Sequence, residues 1–231
     1  MKSTLETIAE RTGFSTSTVS RVLSGKAKDG RISEKTSEII RKAADDIGYT
    51  PNILAQNLRK GRTFTIGLVV PDISNPYFAE ITSVIVAEAK KSGYTTIVTD
   101  TMENEAAQKD SVCALVSRKV DGMIIVPCGS DPKFLEEINA QTAPVILVDR
   151  YFEDSRLPYV ATNNWQGGFD GTNILLRNAH RKIACIQGNL DSTPNRRRIE
   201  GYRAALRKAG LEDEERIVGN DFTVQNGYIE T

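Results

Sequence analysis

The chain has 231 residues, 39% of them hydrophobic, and 30 Lys+Arg balance 30 Asp+Glu to a formal net charge of zero. That length suits a small domain followed by a larger one; no apolar run approaches the ~20 residues of a membrane span, and no secretory signal precedes the first polar helix, which points to a cytoplasmic protein with no membrane partner. The three widely spaced cysteines, Cys113, Cys128 and Cys185, read as buried free thiols, and a single histidine, His180, excludes a multi-histidine metal site.

The first expected helix covers residues 5–12, with Thr4 at its N-cap and Leu5, Ile8 and Ala9 on one face. Gly13-Phe14 makes a turn and Ser15 caps a second helix, in which Val19, Val22 and Leu23 recur at helical spacing and pack back on Ile8 and Ala9. Thr16, Ser17, Ser20 and Arg21 are left outward. Short hydrogen-bonding groups beside one long bidentate donor are what base edges and phosphates in a major groove require. Two short helices meeting at a glycine are also a common corner of folded domains, so this stretch alone leaves both readings open.

Ser33 caps a third helix over residues 34–47, with Ile39, Ile40, Ala43, Ala44 and Ile47 inward, so three helices share one small core; Gly48-Tyr49 ends it. Residues 51–61 suit about two helical turns, too short to stay helical alone in water, and read as a hinge. The motifs TLETIAERTGFSTSTVSRVLSG, SEKT and IGYTPNILAQNLRKG resemble the DNA-binding headpiece and hinge of the LacI/GalR family of bacterial repressors. The resemblance implies that Thr16, Ser17 and Arg21 face bases, that Thr4, Ser15, Thr18 and Asn52 lie near phosphates, and that Leu58, beside the small Ala55, is a minor-groove wedge. Leu58 also fits an ordinary core leucine. The loop around residues 26–31 is longer than the corresponding loop of the family's lactose repressor, so phosphate contacts there are not carried over. Charge divides at the same place: residues 1–62 hold 12 Lys+Arg against 7 Asp+Glu, and residues 63–231 hold 18 against 23. The basic end suits a polyanion.

From residue 64 strands and helices alternate. Strands are expected at 64–70, 94–99, 122–126, 145–148 and 183–187, and helices at 77–92, 103–118, 133–140 and 167–177; a crossover spans 159–164, a loop 188–198, and a further helix starts near Gln225. Apolar runs separated by helices indicate a doubly wound parallel sheet with ligands beyond the carboxyl ends of its strands. The family's effector domain, to which this part again is similar, has the fold of periplasmic sugar-binding proteins. By that resemblance Asn75, Tyr77, Phe78, Asp149, Arg150 and Arg198 line an effector cleft: aromatic rings stack on sugar C–H faces while the amide, carboxylate and guanidinium groups fix hydroxyls. Taken singly, Asn75 also fits a helix cap, Phe78 a core residue, and Asp149-Arg150 a surface ion pair.

The fold class expected is therefore a small all-α helix-turn-helix domain followed by an α/β periplasmic-binding-protein-like domain. Its divisions are a headpiece (1–50), a hinge (51–62), an effector-binding N-subdomain (63–161) and a partial C-subdomain (162–231). Against the family pattern the chain stops about a hundred residues early, which would leave both subdomains incomplete and apolar sheet edges exposed. No dinucleotide, P-loop or Ser-nucleophile motif is present, so neither catalysis nor a cofactor is expected. The partners implied are operator DNA, a sugar effector and, at full length, a second copy of the chain. The rival is a sugar-binding protein of the same fold with no DNA role.

Overall fold

Short hydroxyl side chains start all three helices of the N-terminal unit. Thr4, Ser15 and Ser33 accept hydrogen bonds from the backbone N–H groups of Thr7, Thr18 and Thr36, opening α1 (Leu5–Thr12), α2 (Thr16–Leu23) and α3 (Glu34–Asp46). Each cap satisfies one of the amide donors that a helix leaves unpaired in its first turn. Gly13, left-handed at φ 72°, ends α1. Ile8, Val19, Val22, Ala27, Ile40 and Ala44 form the buried core of this unit. Ile39, expected inward, is 44% exposed: the stripe through Ser37, Ile40 and Ala44 faces the core, and a residue one helical step of ~100° away turns toward water. The computed structural model describes residues 4–28, 30–49 and 61–231. The chain divides into two units, Met1–Gly61 and Arg62–Thr231.

The second unit opens with a parallel sheet in the order β2-β1-β3-β4-β5, formed by β1 (Thr65–Val70), β2 (Thr95–Asp100), β3 (Gly122–Ile125), β4 (Val145–Val148) and β5 (Tyr159–Val160). Alternate side chains of these strands go to opposite faces. Val69, Met123, Ile125, Val145 and Leu147 join one buried cluster with Val112, Leu115 and Leu135 of α5 (Glu105–Ser117) and α6 (Lys133–Gln141). Leu68 and Val70 join another with Phe78, Ile81 and Ile85 of α4 (Pro76–Lys91). Tyr159 and Val160 of β5 are 51% and 63% exposed.

Past β5 lie α7 (Asn164–Arg177), β6 (Ala184–Ile186), α8 (Thr193–Lys208), β7 (Arg216–Val218) and α9 (Val224–Ile229), with β6 and β7 paired in parallel. Ile183, Tyr202 and Leu206 form the small core there. α7 and α8 meet backbone to backbone: a Cβ on Gly168 would collide with the carbonyl of Arg198, and one on Gly201 with the carbonyl of Trp165.

Several local expectations change. Residues 188–198 are not one loop, because α8 begins at Thr193, with Pro194 in its first turn where a missing N–H costs nothing. α7 starts at Asn164 under an Asn163 cap, earlier than Gly167, and the crossover contributes a short paired strand. α5 starts at Glu105 with Asn104 as its cap; Met102 and Glu103 stand outside it in the left-handed region at φ 50° and 55°. Cys128 is buried and Cys185 half-buried, but Cys113 is exposed; all three are free thiols. Among the described residues, no helix is long and apolar enough to cross a membrane and no His/Cys/Asp/Glu group could hold a metal ion.

Candidate functional site

Two surfaces carry the residues singled out by sequence, one in each unit. On α2 the buried Val19 and Val22 fix the rotation of the helix, leaving Ser15, Thr16, Ser17 and Arg21 exposed and Thr18 and Ser20 half-buried. Ser15 Oγ is 2.8 Å from Ser17 Oγ, 2.9 Å from Thr18 Oγ1 and accepts from Thr18 N at 3.2 Å. The N-terminal turn thus presents a mutually hydrogen-bonded hydroxyl cluster where the helix dipole favours an anion. Thr4 does the same on a smaller scale, accepting from Thr7 N at 3.3 Å. Asn52, Ala55 and Leu58, together with the expected hinge, lie outside the described residues.

The second surface is a cavity of about 220 Å³ lined by Asn75, Tyr77, Phe78, Asp149, Arg150 and Arg198, together with Ser192, Pro194 and Phe222. Strand ends and helix starts supply its walls, which is where open parallel sheets leave a crevice. Asn75 caps α4, its Oδ1 accepting from Tyr77 N at 3.0 Å, so the capping and cavity-lining readings of this residue are compatible. Phe78 likewise does both: it is 5% exposed, packs in the core below α4, and still borders the cavity.

Tyr77 donates its hydroxyl proton to Asp149 Oδ1 at 2.7 Å. Burial, then the hydrogen bond to the Asp149 carboxylate and its charge, push the phenol up to about 12, so Tyr77 remains a donor at neutral pH. Asp149 follows β4 in the left-handed region, at φ 64°, and its N–H donates to Val160 O at 2.9 Å.

Asp149 and Arg150 are each 7% exposed and do not form a surface ion pair with one another. Arg150 instead donates from Nη1 and Nη2 to the two carboxylate oxygens of Glu103, both at 2.6 Å. Its guanidinium lies over the rings of Phe78 and Phe222, 5.5 and 5.6 Å from their centroids. Burial alone would depress the Arg150 pKa, but the Glu103 hydrogen bonds and charge outweigh it and hold the group more firmly protonated than usual. Arg198 is exposed and is aimed by one bond, from Nε to Asn164 Oδ1 at 2.8 Å.

Glu103, Ser192, Pro194 and Phe222 escaped sequence reasoning. Glu103 was expected inside a helix, Ser192 and Pro194 in a loop, and Phe222 stands in an irregular stretch without apolar periodicity. Their signals were weak; the Ser-Thr-Pro run at 192–194, a common helix start, was the one that could have been used.

A three-helix unit with an exposed polar helix face, followed by an α/β unit with a polar and aromatic crevice, defines a DNA-binding regulator with a ligand-responsive domain. Residues 4–52 match the family model described as bacterial regulatory proteins, lacI family, and residues 63–226 match that of periplasmic binding proteins and the sugar binding domain of the LacI family. The chain belongs to the LacI family. It is 32% identical to the HTH-type transcriptional regulator DegA of Bacillus subtilis (strain 168) over 100% of this chain and 68% of that protein. It is also 32% identical to the ribose operon repressor of Escherichia coli (strain K12), over 97% of this chain and 68% of that one. Among solved structures, the lac repressor dimer bound to operator and the anti-inducer ONPF superposes with a TM-score of 0.85 at 25% identity, covering 98% of this chain and 68% of that chain. The protein is a transcriptional regulator and not an enzyme, and the DNA-binding family model over residues 4–52 overturns the rival reading of a sugar-binding protein without a DNA role.

Proposed function

We propose that this regulator is a cytoplasmic repressor that reads its operator through Thr16, Ser17 and Arg21 of α2, and whose DNA affinity is set by a monosaccharide in the cleft between Tyr77, Asp149 and Arg198. The cleft carries the reading. At about 220 Å³ it falls below the ~300–1,000 Å³ of pockets for drug-sized ligands, and it combines an aromatic wall, a carboxylate, an amide and a guanidinium, groups that can pair with the adjacent hydroxyls of one sugar ring.

On DNA, Ser15, Thr18 and Thr4 stand at helix starts and anchor phosphates, while Arg21 donates to a base edge. Asn52 adds a phosphate contact, and Ala55 and Leu58 occupy the minor groove in the hinge. Two copies of the chain place two such helices on a pseudopalindromic site. The effector acts by binding one of two subdomain arrangements better than the other, and its differential affinity limits the change in operator affinity it can cause.

The test selects binding sites from random double-stranded DNA, then measures affinity for the selected site by fluorescence anisotropy with pentoses, hexoses and purine nucleosides present. A sequence-specific complex whose affinity one of the sugars shifts supports the proposal. Response to a nucleoside alone would replace the sugar with a purine ligand.

A further inference from the structure

The cleft residues also specify the charge of what they bind. Resting on the sugar reading above, we infer that the cleft takes an uncharged monosaccharide and rejects its phosphate esters, and that Glu103, acting through Arg150, is the residue that sets this preference.

Four ionic groups decide the matter. Asp149, Arg150 and Arg198 line the cavity. Glu103 does not line it, but holds both terminal nitrogens of Arg150 in a two-point contact at 2.6 Å. With Glu103 included, two carboxylates face two guanidinium groups, and the set is neutral. A phosphate ester would bring one to two negative charges into a set of groups whose own charges already cancel, beside the Asp149 carboxylate. A hydroxyl-bearing neutral ring needs no such compensation.

Arg150 is also closed to a phosphate by geometry. Glu103 fills the Nη1/Nη2 edge of the guanidinium, one of the edges that can grip a phosphate bidentately, and the group lies over the rings of Phe78 and Phe222. With a relative exposure of 7% it has no freedom to swing toward a ligand.

The N-terminus of α8 also meets the cavity and carries partial positive charge. Pro194 removes one of the N–H donors from that first turn. Ser192, at the cap position, is 5% exposed, makes no capping hydrogen bond, and its Oγ has no partner among the described residues. An unpaired hydroxyl lining the cavity suits exchange of a hydrogen bond with a ligand hydroxyl, since a buried polar group left unsatisfied is costly.

Glu103 is a positioning residue, so its test separates charge preference from structural damage. With the full chain, isothermal titration is run against D-ribose, D-fructose and D-glucose and against ribose 5-phosphate, fructose 1-phosphate and glucose 6-phosphate. Wild type is expected to bind at least one neutral sugar at least about tenfold more tightly than its phosphate ester, the scale of one charge-assisted interaction. Glu103→Gln removes one negative charge and one of the two acceptors that hold the guanidinium, so the ratio is expected to move toward the ester by a similar factor, with Glu103→Asp restoring the wild-type order. A parallel loss of both ligand types in Glu103→Gln would assign the residue a purely structural role and overturn its part in selectivity. Tighter binding of an ester by wild type overturns the inference but leaves the sugar reading intact; binding of none of the six overturns both.

Discussion

The exposed face of α2 and the cleft of the second unit solve recognition in opposite ways. On α2 the proposed contacts lie within one stretch, residues 15–21, and stay open to solvent around two buried valines. In the cleft they come from residues as far apart as Asn75 and Phe222, and Asp149 and Arg150 are nearly inaccessible and already hydrogen-bonded to protein. A long polymer can approach a convex helix, so its reader needs only a correctly rotated scaffold. A small ligand must be enclosed, so its reader has to be assembled from distant segments and kept in place by buried polar pairs.

The contrast predicts separable failures. Ile8→Ala removes a fully buried side chain from the small three-helix core, and a loss of about 2–5 kcal/mol is expected for that unit. Helical circular dichroism and DNA binding should fall, while the unfolding transition reported by the single tryptophan, Trp165 in α7, stays in place. A common shift of both signals would show that the two units unfold together. Gly201→Val reverses the pattern by forcing α7 and α8 apart, at about 1–3 kcal/mol. Trp165 should then report early unfolding while helix-turn-helix stability is unchanged.

Arg21→Ala tests recognition and leaves the fold alone, since Arg21 is exposed on α2. About 1–3 kcal/mol of discrimination between operator and random DNA should disappear, and an unchanged ratio in competition anisotropy would remove Arg21 from the base-reading set.

The smallest effect belongs to Tyr77→Phe, which deletes the hydrogen bond to Asp149 for about 0.5–1.5 kcal/mol. The Tyr77 pKa is raised in the folded chain, from 10.0 to about 12, so its stabilising contribution is complete below pH 10 and is lost as pH rises toward 12. The ultraviolet difference titration between wild type and Tyr77→Phe should accordingly show a phenol that ionises late; a midpoint near 10 would mean that the Tyr77–Asp149 contact does not persist in solution.

Sequence patterns reached the two surfaces unequally. Helix starts at Thr4, Ser15 and Ser33 and the apolar strands of the sheet follow from local rules, because caps and periodicity are written into neighbouring residues. The whole of α8 was missed because its opening, Thr-Pro-Asn-Arg-Arg-Arg, has no apolar stripe, although Ile199, Tyr202 and Leu206 recur at helical spacing further on. β7 is three residues long and gains its identity from pairing with β6. Glu103 was hidden for a similar reason. Its partner Arg150 is 47 positions away, and nothing near either residue announces the pairing.

The backbone bond from Asp149 N–H to Val160 O joins a cavity-lining residue to the last residue of β5. Ala161, Thr162 and Asn163 alone separate that residue from α7, whose first residue, Asn164, holds Arg198 on the neighbouring α8. A ligand that touched both Asp149 and Arg198 would therefore engage the chain on both sides of the short segment that leads from the five-stranded sheet to α7.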